Sequence, residues 1–118
     1  MSTAHTTVYG IKACDTMKKA MTWLDSEGIA YDFHDYKKQG IDADSIKEWL
    51  TLVPWDELIN RRGTTWRKLS DADKQDVDNE KALNLMLANQ SLIKRPLLSY
   101  EGKVYLGFKP EIYATIFG

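Results

Sequence analysis

The sequence predicts an α/β fold with a mixed sheet, in the order β-α-β, a helical insert, and β-β-α. Three observations predict it: a β-prone run leads into an amphipathic helix, the middle of the chain repeats apolar residues at helical spacing, and two short apolar runs flank a turn near the end. With 118 residues, of which 43% are hydrophobic, the chain can bury one core. We expect a single domain over residues 1–118, with the sheet in about 5–38 and 92–118 and the insert in about 41–90.

The first part of the chain predicts two parallel strands joined by a helix. A β-prone run at residues 5–10 precedes Asp15, a favourable helix-start residue, and Gly28 closes the helix. Between them apolar residues recur at i, i+3, i+4 and i+7, namely Met17, Ala20, Met21 and Leu24. Residues 31–36 form the second predicted strand, and the strand–helix–strand order implies a parallel pair with a right-handed crossover.

The insert is predicted to be mostly helical. Helical spacing before Pro54 indicates one helix, with the apolar residues Ile46, Trp49, Leu50 and Val53. A short helical turn is expected next, from Trp55, Leu58 and Ile59. Thr64 and Thr65 are predicted to cap another short helix around Trp66. Asp78 is a candidate cap for the last helix of the insert, whose apolar side is predicted to hold Ala82, Leu83, Met86 and Leu87.

The last part of the chain predicts a hairpin and a final helix. Residues 97–100 and 103–106 are short strand-like runs separated by a Glu-Gly turn. A helix then begins near Pro110, with an apolar stripe of Ile112, Tyr113, Ile116 and Phe117. Without the insert, the predicted order is that of a thioredoxin-like fold, in which the residue between the first strand and the first helix lies at an edge of the sheet.

Composition and charge exclude several classes of function. Sixteen Lys and Arg against seventeen Asp and Glu give a net charge of −1, which favours neither nucleic acid nor a membrane surface as a partner. The first seven residues do not resemble a secretory signal, and no stretch is apolar enough to span a bilayer, so we expect a cytoplasmic protein. His5 and His34 form no metal-ligand spacing, so neither a metal nor a bound cofactor is expected. We also expect a monomer.

Cys14 is the only cysteine, so the chain can form neither an internal disulfide nor a cysteine-cluster zinc site. It falls at the predicted start of the first helix, where unsatisfied N–H groups favour a thiolate. Lys12 adds a nearby positive charge, whereas the carboxylate of Asp15 opposes the effect. The alternative is that Cys14 is a small, buried apolar residue.

Pro96 favours a reactive Cys14, because it lies just before the predicted hairpin. Thioredoxin folds carry a cis-proline loop at this place, facing the active cysteine. The alternative is an ordinary proline at the start of a strand, since an X-Pro bond is cis in only about 5–6% of cases.

Three segments, in order and at matching spacing, resemble the ArsC/Spx family and its YffB branch: residues 9–16 (YGIKACDT), 60–69 (NRRGTTWRKL) and 93–98 (IKRPLL). The resemblance covers nearly the whole chain, and it implies a cysteine that attacks an oxidised substrate while arginines hold the anion. By position, Cys14 matches the nucleophile and Arg95 matches the arginine before the cis-proline. Arg62 matches the arginine typical of the YffB and Spx branches.

Several positions depart from the pattern of arsenate reductases in this family. Those enzymes carry a histidine four residues before the cysteine, where this chain has Gly10. Their first insert arginine aligns with Asn60, although Arg61 or Arg62 can reach the same space. Their C-terminal Arg-Pro pair is replaced by Lys109 and a proline, and lysine lacks the fork of the guanidinium. We therefore rank arsenate reduction below general thiol reductase activity.

The resemblance also implies an alternative without catalysis. Spx-type regulators bind RNA polymerase and usually carry a Cys-x-x-Cys switch, but Met17 occupies the second position here, which removes that disulfide. A protein-interaction module remains the alternative. The preferred prediction is a monothiol reductase of disulfides or oxyanions, with the Cys14 thiolate as nucleophile, glutathione as co-substrate and glutaredoxin as a candidate partner. The candidate substrate-binding residues are Arg95, Arg62, Lys12, Arg61, Asn60 and Lys109, with Pro96 supporting the site.

Overall fold

The computed structural model describes residues 6–12 and 14–117. Backbone contacts divide the chain into two units, one formed by Met1–Gln39 with Arg95–Gly118 and the other by Gly40–Lys94. The predicted organisation of these parts as one domain stays a prediction. No helix in the described part of the chain is long and apolar enough to cross a membrane.

The first unit contains a four-stranded mixed sheet in the order β2-β1-β3-β4. The strands are β1 (Thr6–Gly10), β2 (Asp32–Asp35), β3 (Leu97–Tyr100) and β4 (Lys103–Leu106). Strand β1 runs parallel to β2 and antiparallel to β3, which pairs antiparallel with β4. The predicted mixed sheet is therefore confirmed, together with both strands of the hairpin. The predicted start of the first strand at His5 lies outside the described residues.

Helix α1 (Asp15–Ser26) supplies much of the core of the first unit. It ends where predicted, because Gly28 adopts a φ of 69° and the N–H groups of Gly28 and Ile29 donate to the last carbonyls of the helix. The buried cluster of this unit joins α1 to the sheet and to a C-terminal helix, through Val8, Met17, Ala20, Leu24, Leu98 and Tyr113. The prediction of an amphipathic first helix is confirmed.

Two apolar stripes are narrower than the sequence predicts. The C-terminal helix (Pro110–Phe117) buries Tyr113, but Ile112 is 47% exposed. In the helix Asn79–Ala88, Leu87 is 36% exposed, whereas Ala82, Leu83 and Met86 are buried as predicted. Both errors have the same cause: helical spacing identifies the centre of an apolar face better than its margins.

The strand predicted for residues 31–36 ends early. A carboxylate oxygen of Asp35 accepts a hydrogen bond from the Lys37 N–H at 2.9 Å, and helix α2 (Tyr36–Gln39) begins there. Tyr36 is consequently the first residue of a helical turn rather than the last residue of a strand. It is 1% exposed.

The second unit is helical, as predicted, and its helices continue the numbering of the first: α3 (Ala43–Leu52), α4 (Trp55–Leu58), α5 (Thr64–Arg67), α6 (Asp71–Lys74) and α7 (Asn79–Ala88), followed by a 3-10 turn (Gln90–Leu92). The final helix of the chain is α8 (Pro110–Phe117). The predicted cap of α7 is confirmed, since Asp78 accepts a hydrogen bond from the Lys81 N–H. The predicted caps of α5 are wrong: Gly63 is its N-cap, and the Thr65 hydroxyl pairs with that of Ser91 at 3.0 Å.

An antiparallel bridge that the sequence did not predict ties two distant segments of the second unit together. Ile59 pairs with Ile93, and both are buried. The Asn60 N–H donates to the Leu92 carbonyl at 2.7 Å, and the Lys94 N–H donates to the Leu58 carbonyl at 2.9 Å. The bridge holds the residues that follow Ile59 next to Lys94.

Candidate functional site

Cys14 is the N-cap residue of α1, the position that the sequence predicts for it. Its backbone is extended (φ −96°, ψ 127°), and its carbonyl oxygen accepts a hydrogen bond from the Lys18 N–H at 3.1 Å. Its side chain makes no capping hydrogen bond and is half-buried against the core of the first unit. The alternative of a fully buried cysteine does not describe this residue. The thiol lies at the positive end of a 12-residue helix.

The strand register brings several loops to the sheet edge that carries Cys14. Strands β1 and β2 both end there, with Gly10 opposite Asp35. Strand β3 begins there, because Tyr9 pairs with Leu97. We call this end of the sheet the Cys14 edge, since Cys14 follows Gly10 by four residues. It is the edge at which α/β folds commonly display reactive groups.

Arg95 and Pro96 lie at the Cys14 edge, directly before β3. The peptide bond between them is cis, as the sequence comparison with thioredoxin folds predicts. Pro96 is buried, and its carbonyl oxygen accepts a hydrogen bond from the Gly107 N–H at 2.9 Å. Arg95 is half-buried. The same edge of the sheet therefore carries both the Cys14 thiol and the Arg95 guanidinium group.

Tyr36 is a residue of the Cys14 edge that sequence reasoning missed. It follows β2 directly, and its hydroxyl is buried without a hydrogen-bond partner among the residues described. Burial and the nearby Tyr9 hydroxyl raise the pKa of Tyr36 far above its usual range, although the Arg95 guanidinium lowers it. The phenol therefore stays neutral and remains a hydrogen-bond donor at physiological pH. The sequence signal that could have identified Tyr36 is its place at the end of the second predicted strand, which runs parallel to the first.

Lys12 and Lys109 are exposed residues of loops that reach the Cys14 edge. Lys12 lies in the loop between β1 and α1. Lys109 lies between β4 and α8, and its carbonyl oxygen accepts hydrogen bonds from the first turn of α8. Their predicted role in substrate binding stays a prediction. Residues 6–12 and 14–117 contain no group of three or more His, Cys, Asp or Glu side chains placed to hold a metal ion.

The second unit carries its own basic cluster, Arg61, Arg62 and Lys94, next to Asn60, and three of these four residues are predicted binding residues. Asn60, Arg61, Arg62 and Lys94 line a cavity of about 700 Å³ together with the carboxylates of Asp56 and Glu57. The Asn60 side chain accepts a hydrogen bond from the Arg62 N–H at 3.2 Å, and the Arg61 guanidinium carbon lies 5.8 Å from the centroid of the Trp55 ring. Asn60 therefore acts on the backbone of its loop, and Arg61 is placed for a cation–π contact. Arg62 is exposed.

Gly10 and Met17, where the sequence departs from the arsenate reductases and from the Spx switch, contact each other. Met17 is fully buried, and a Cβ atom added to Gly10 would lie 2.4 Å from its sulfur. Any side chain at position 10 therefore collides with Met17 as it is packed here. A histidine at position 10 would therefore require Met17 to repack.

Comparisons with known proteins agree on one family. The model of the ArsC family matches residues 9–116. The solved structure of the YffB protein is 53% identical, with a TM-score of 0.92, and the match covers 96% of this chain and 99% of that one. An arsenate reductase (ArsC) related protein from Brucella melitensis is 50% identical, with a TM-score of 0.79, over 99% of this chain and 98% of that one.

Curated relatives give the same picture at lower identity. An uncharacterised protein of Haemophilus influenzae is 42% identical over 94% of this chain and 97% of its own length. The global transcriptional regulator Spx of Listeria innocua is 27% identical over 89% of this chain and 81% of its own length. The family match extends over most of the chain, and the solved relatives share its mixed sheet and thioredoxin-like fold. The chain therefore belongs to the ArsC family.

Proposed function

We propose that this protein is a monothiol reductase that uses Cys14 as its nucleophile and glutathione as its co-substrate. The observation that supports this most directly is the position of Cys14 as the half-buried N-cap of α1. Helix N-termini and nearby cations stabilise thiolates. Arg95 lies at the same edge of the sheet, and a guanidinium group binds a carboxylate through two parallel hydrogen bonds.

The reaction that we propose is thiol–disulfide exchange. The Cys14 thiolate attacks one sulfur of a disulfide substrate, so that a Cys14–substrate disulfide forms, the original disulfide breaks, and the second substrate sulfur leaves as a thiolate. A glutathione thiolate then attacks the substrate sulfur of this adduct, which releases the Cys14 thiolate and a substrate–glutathione disulfide. An external thiol is required because the chain has no second cysteine.

The proposal includes the setting in which this chemistry occurs. An unpaired thiol that depends on glutathione suits the cytoplasm, where thiols are kept reduced. Glutaredoxin is the candidate protein partner for reducing the substrate–glutathione disulfide that the second step releases, and we propose a monomer without a bound cofactor. The basic cluster of Arg61, Arg62 and Lys94 is a candidate anion site of the second unit.

Two alternatives have specific support. A relative related to arsenate reductases is 50% identical to this chain, which favours arsenate as a substrate, but Met17 occupies the space that a histidine at position 10 would need. The similarity to Spx favours a module that binds a protein partner. Met17, buried at the second position of the Spx switch, leaves such a module without a redox switch of that design. Arsenate turnover with glutathione and glutaredoxin distinguishes the first alternative.

The experiment that tests the proposed function is incubation with oxidised glutathione, followed by mass spectrometry of the intact protein. The wild-type protein should gain one glutathione, and peptide mapping should place it on Cys14. The Cys14→Ser protein should gain none and should lose reductase activity, because serine cannot form the mixed disulfide. Reductase activity that survives in Cys14→Ser would rule out this mechanism, and a wild-type protein that gains no glutathione would favour the interaction module.

A further inference from the structure

The hydroxyl group of Tyr36 is buried without a hydrogen-bond partner. The residue is 1% exposed, and nothing in the described part of the chain pairs with its oxygen. Buried polar groups in proteins are nearly always hydrogen-bonded, because leaving one without a partner costs free energy. At the Cys14 edge, unlike in the middle of the core, such a hydroxyl can find its partner in a ligand.

The position of Tyr36 in the fold links it to the proposed chemistry. Tyr36 follows β2 and Arg95 precedes β3, so the two residues flank the end of β1 from opposite sides. The charge of Arg95 reaches the phenol, since it lowers the pKa of Tyr36 against the larger, opposing effect of burial. A neutral hydroxyl beside a guanidinium group can donate to an anion that the guanidinium holds.

Tyr113 shows what a similar hydroxyl looks like in the hydrophobic core. It is also 1% exposed and its oxygen also lacks a partner among the residues described. Its ring packs against Phe108 and Trp23 in the core, with centroids 4.7 and 5.7 Å away, whereas the ring of Tyr36 packs against Tyr9 and His34 of the two parallel strands, with centroids 6.4 and 6.0 Å away. Burial alone raises the pKa of Tyr113, and no charged group contributes. Tyr113 is therefore a matched control for Tyr36.

We propose that Tyr36 is a further substrate-binding residue, whose hydroxyl donates a hydrogen bond to the glutathione carboxylate that Arg95 binds. This inference rests on the proposed function. A carboxylate has two oxygens and about four lone-pair sites, so it can accept a phenol O–H in addition to the two N–H groups of an arginine. Arg95 is half-buried, whereas Tyr36 is 1% exposed, so the proposed hydrogen bond requires a local rearrangement that brings the hydroxyl into contact with the bound carboxylate.

The test compares Tyr36→Phe with Tyr113→Phe, because each removes one buried oxygen and nothing else. The second-order rate at which Cys14 forms a mixed disulfide is measured with oxidised glutathione and with bis(2-hydroxyethyl) disulfide, which has no carboxylate. Tyr36→Phe should slow the reaction with oxidised glutathione by roughly tenfold or more, the effect of one hydrogen bond to a charged group. It should leave the rate with the neutral disulfide unchanged, and Tyr113→Phe should change neither rate.

Stability provides a second readout. Tyr36→Phe should unfold at the same or a higher denaturant concentration than the wild-type protein, because it removes no hydrogen bond from the free protein. An unchanged rate with oxidised glutathione, or an equal loss with both disulfides, would overturn the inference and leave the proposed function intact. A wild-type protein that does not react with oxidised glutathione would instead remove the proposed function, and this inference with it.

Discussion

Gly10 and Met17 show how a single contact restricts the chemistry of this site. The sulfur of Met17 lies where the first atom of any side chain at position 10 would be placed, and Met17 has no exposed surface through which to move away. The Met17 side chain therefore has to repack before position 10 can carry a side chain.

Gly10→Ala should destabilise the protein by about 1–3 kcal/mol, the usual cost of forcing an extra methyl group into a packed core. The added Cβ would lie 2.4 Å from the Met17 sulfur and 2.9 Å from its terminal methyl. Denaturant unfolding of the two proteins measures the difference. A Gly10→Ala protein as stable as the wild type would show that Met17 repacks freely.

The matched control for this prediction is Met17→Ala, alone and combined with Gly10→Ala. Met17→Ala alone should cost about 2–5 kcal/mol, because it empties part of the core. In the double variant the new methyl group occupies some of the vacated volume, so its total cost should be less than the sum of the two single costs. Strict additivity would contradict the contact.

At the scale of secondary-structure elements, the end of α1 depends on the left-handed backbone of Gly28. Its φ is 69°, and a Cβ atom added there would meet no other atom within 4 Å, so the cost of a side chain comes from the backbone and not from crowding. Gly28→Ala should therefore destabilise the protein by about 1–2 kcal/mol. Thermal unfolding checks this, with Ser26→Ala as a control for a change in the exposed last turn of α1. An unchanged unfolding temperature for Gly28→Ala would contradict the assigned helix end.

The elements that the sequence predicts well carry local signals. The hairpin turn was recognisable as Glu101-Gly102, and both residues adopt positive φ angles of 52° and 75°, as a tight turn between twisted strands requires. Helix α1 combined a glycine stop with a regular apolar stripe. In these segments a few neighbouring residues contain the whole signal.

The elements that the sequence predicts poorly depend on competing local hydrogen bonds or on contacts between distant segments. The aromatic run at residues 31–36 favours a strand, but the Asp35 side chain accepts the Lys37 N–H and starts a turn instead. The bridge between Ile59 and Ile93 joins segments that are far apart in sequence, and no local pattern marks it. Long-range pairing of this kind is decided by the packed structure and not by propensity.

The residues of the candidate site also differ in how well the sequence predicts them. Cys14 and the Arg95–Pro96 pair were predictable, because each lies at a boundary between elements that the sequence marks clearly. Tyr36 was not singled out, although the predicted parallel pairing of β1 and β2 already places the end of the second strand at this edge. Its unpaired hydroxyl is a property of the packed molecule and has no signature in the sequence.

For the whole molecule, we propose that folding makes Cys14 more reactive than it is in the unfolded chain. A net charge of −1 gives no general attraction for anionic substrates, so we assign the activation to local groups. In the first unit these are the start of α1 and Arg95, both of which the native sheet holds at one edge. Both contributions disappear when the chain unfolds.

The most direct measurement is the rate at which Cys14 reacts with a neutral disulfide reagent at neutral pH, in the folded protein and in the same protein unfolded by denaturant. The single cysteine makes both rates unambiguous, and N-acetylcysteine amide in each solvent corrects for the denaturant. Because an ordinary thiol is only a few per cent ionised near pH 7, the folded protein should react about tenfold faster. A folded protein that reacts at the same rate as the unfolded chain, or more slowly, would contradict the account.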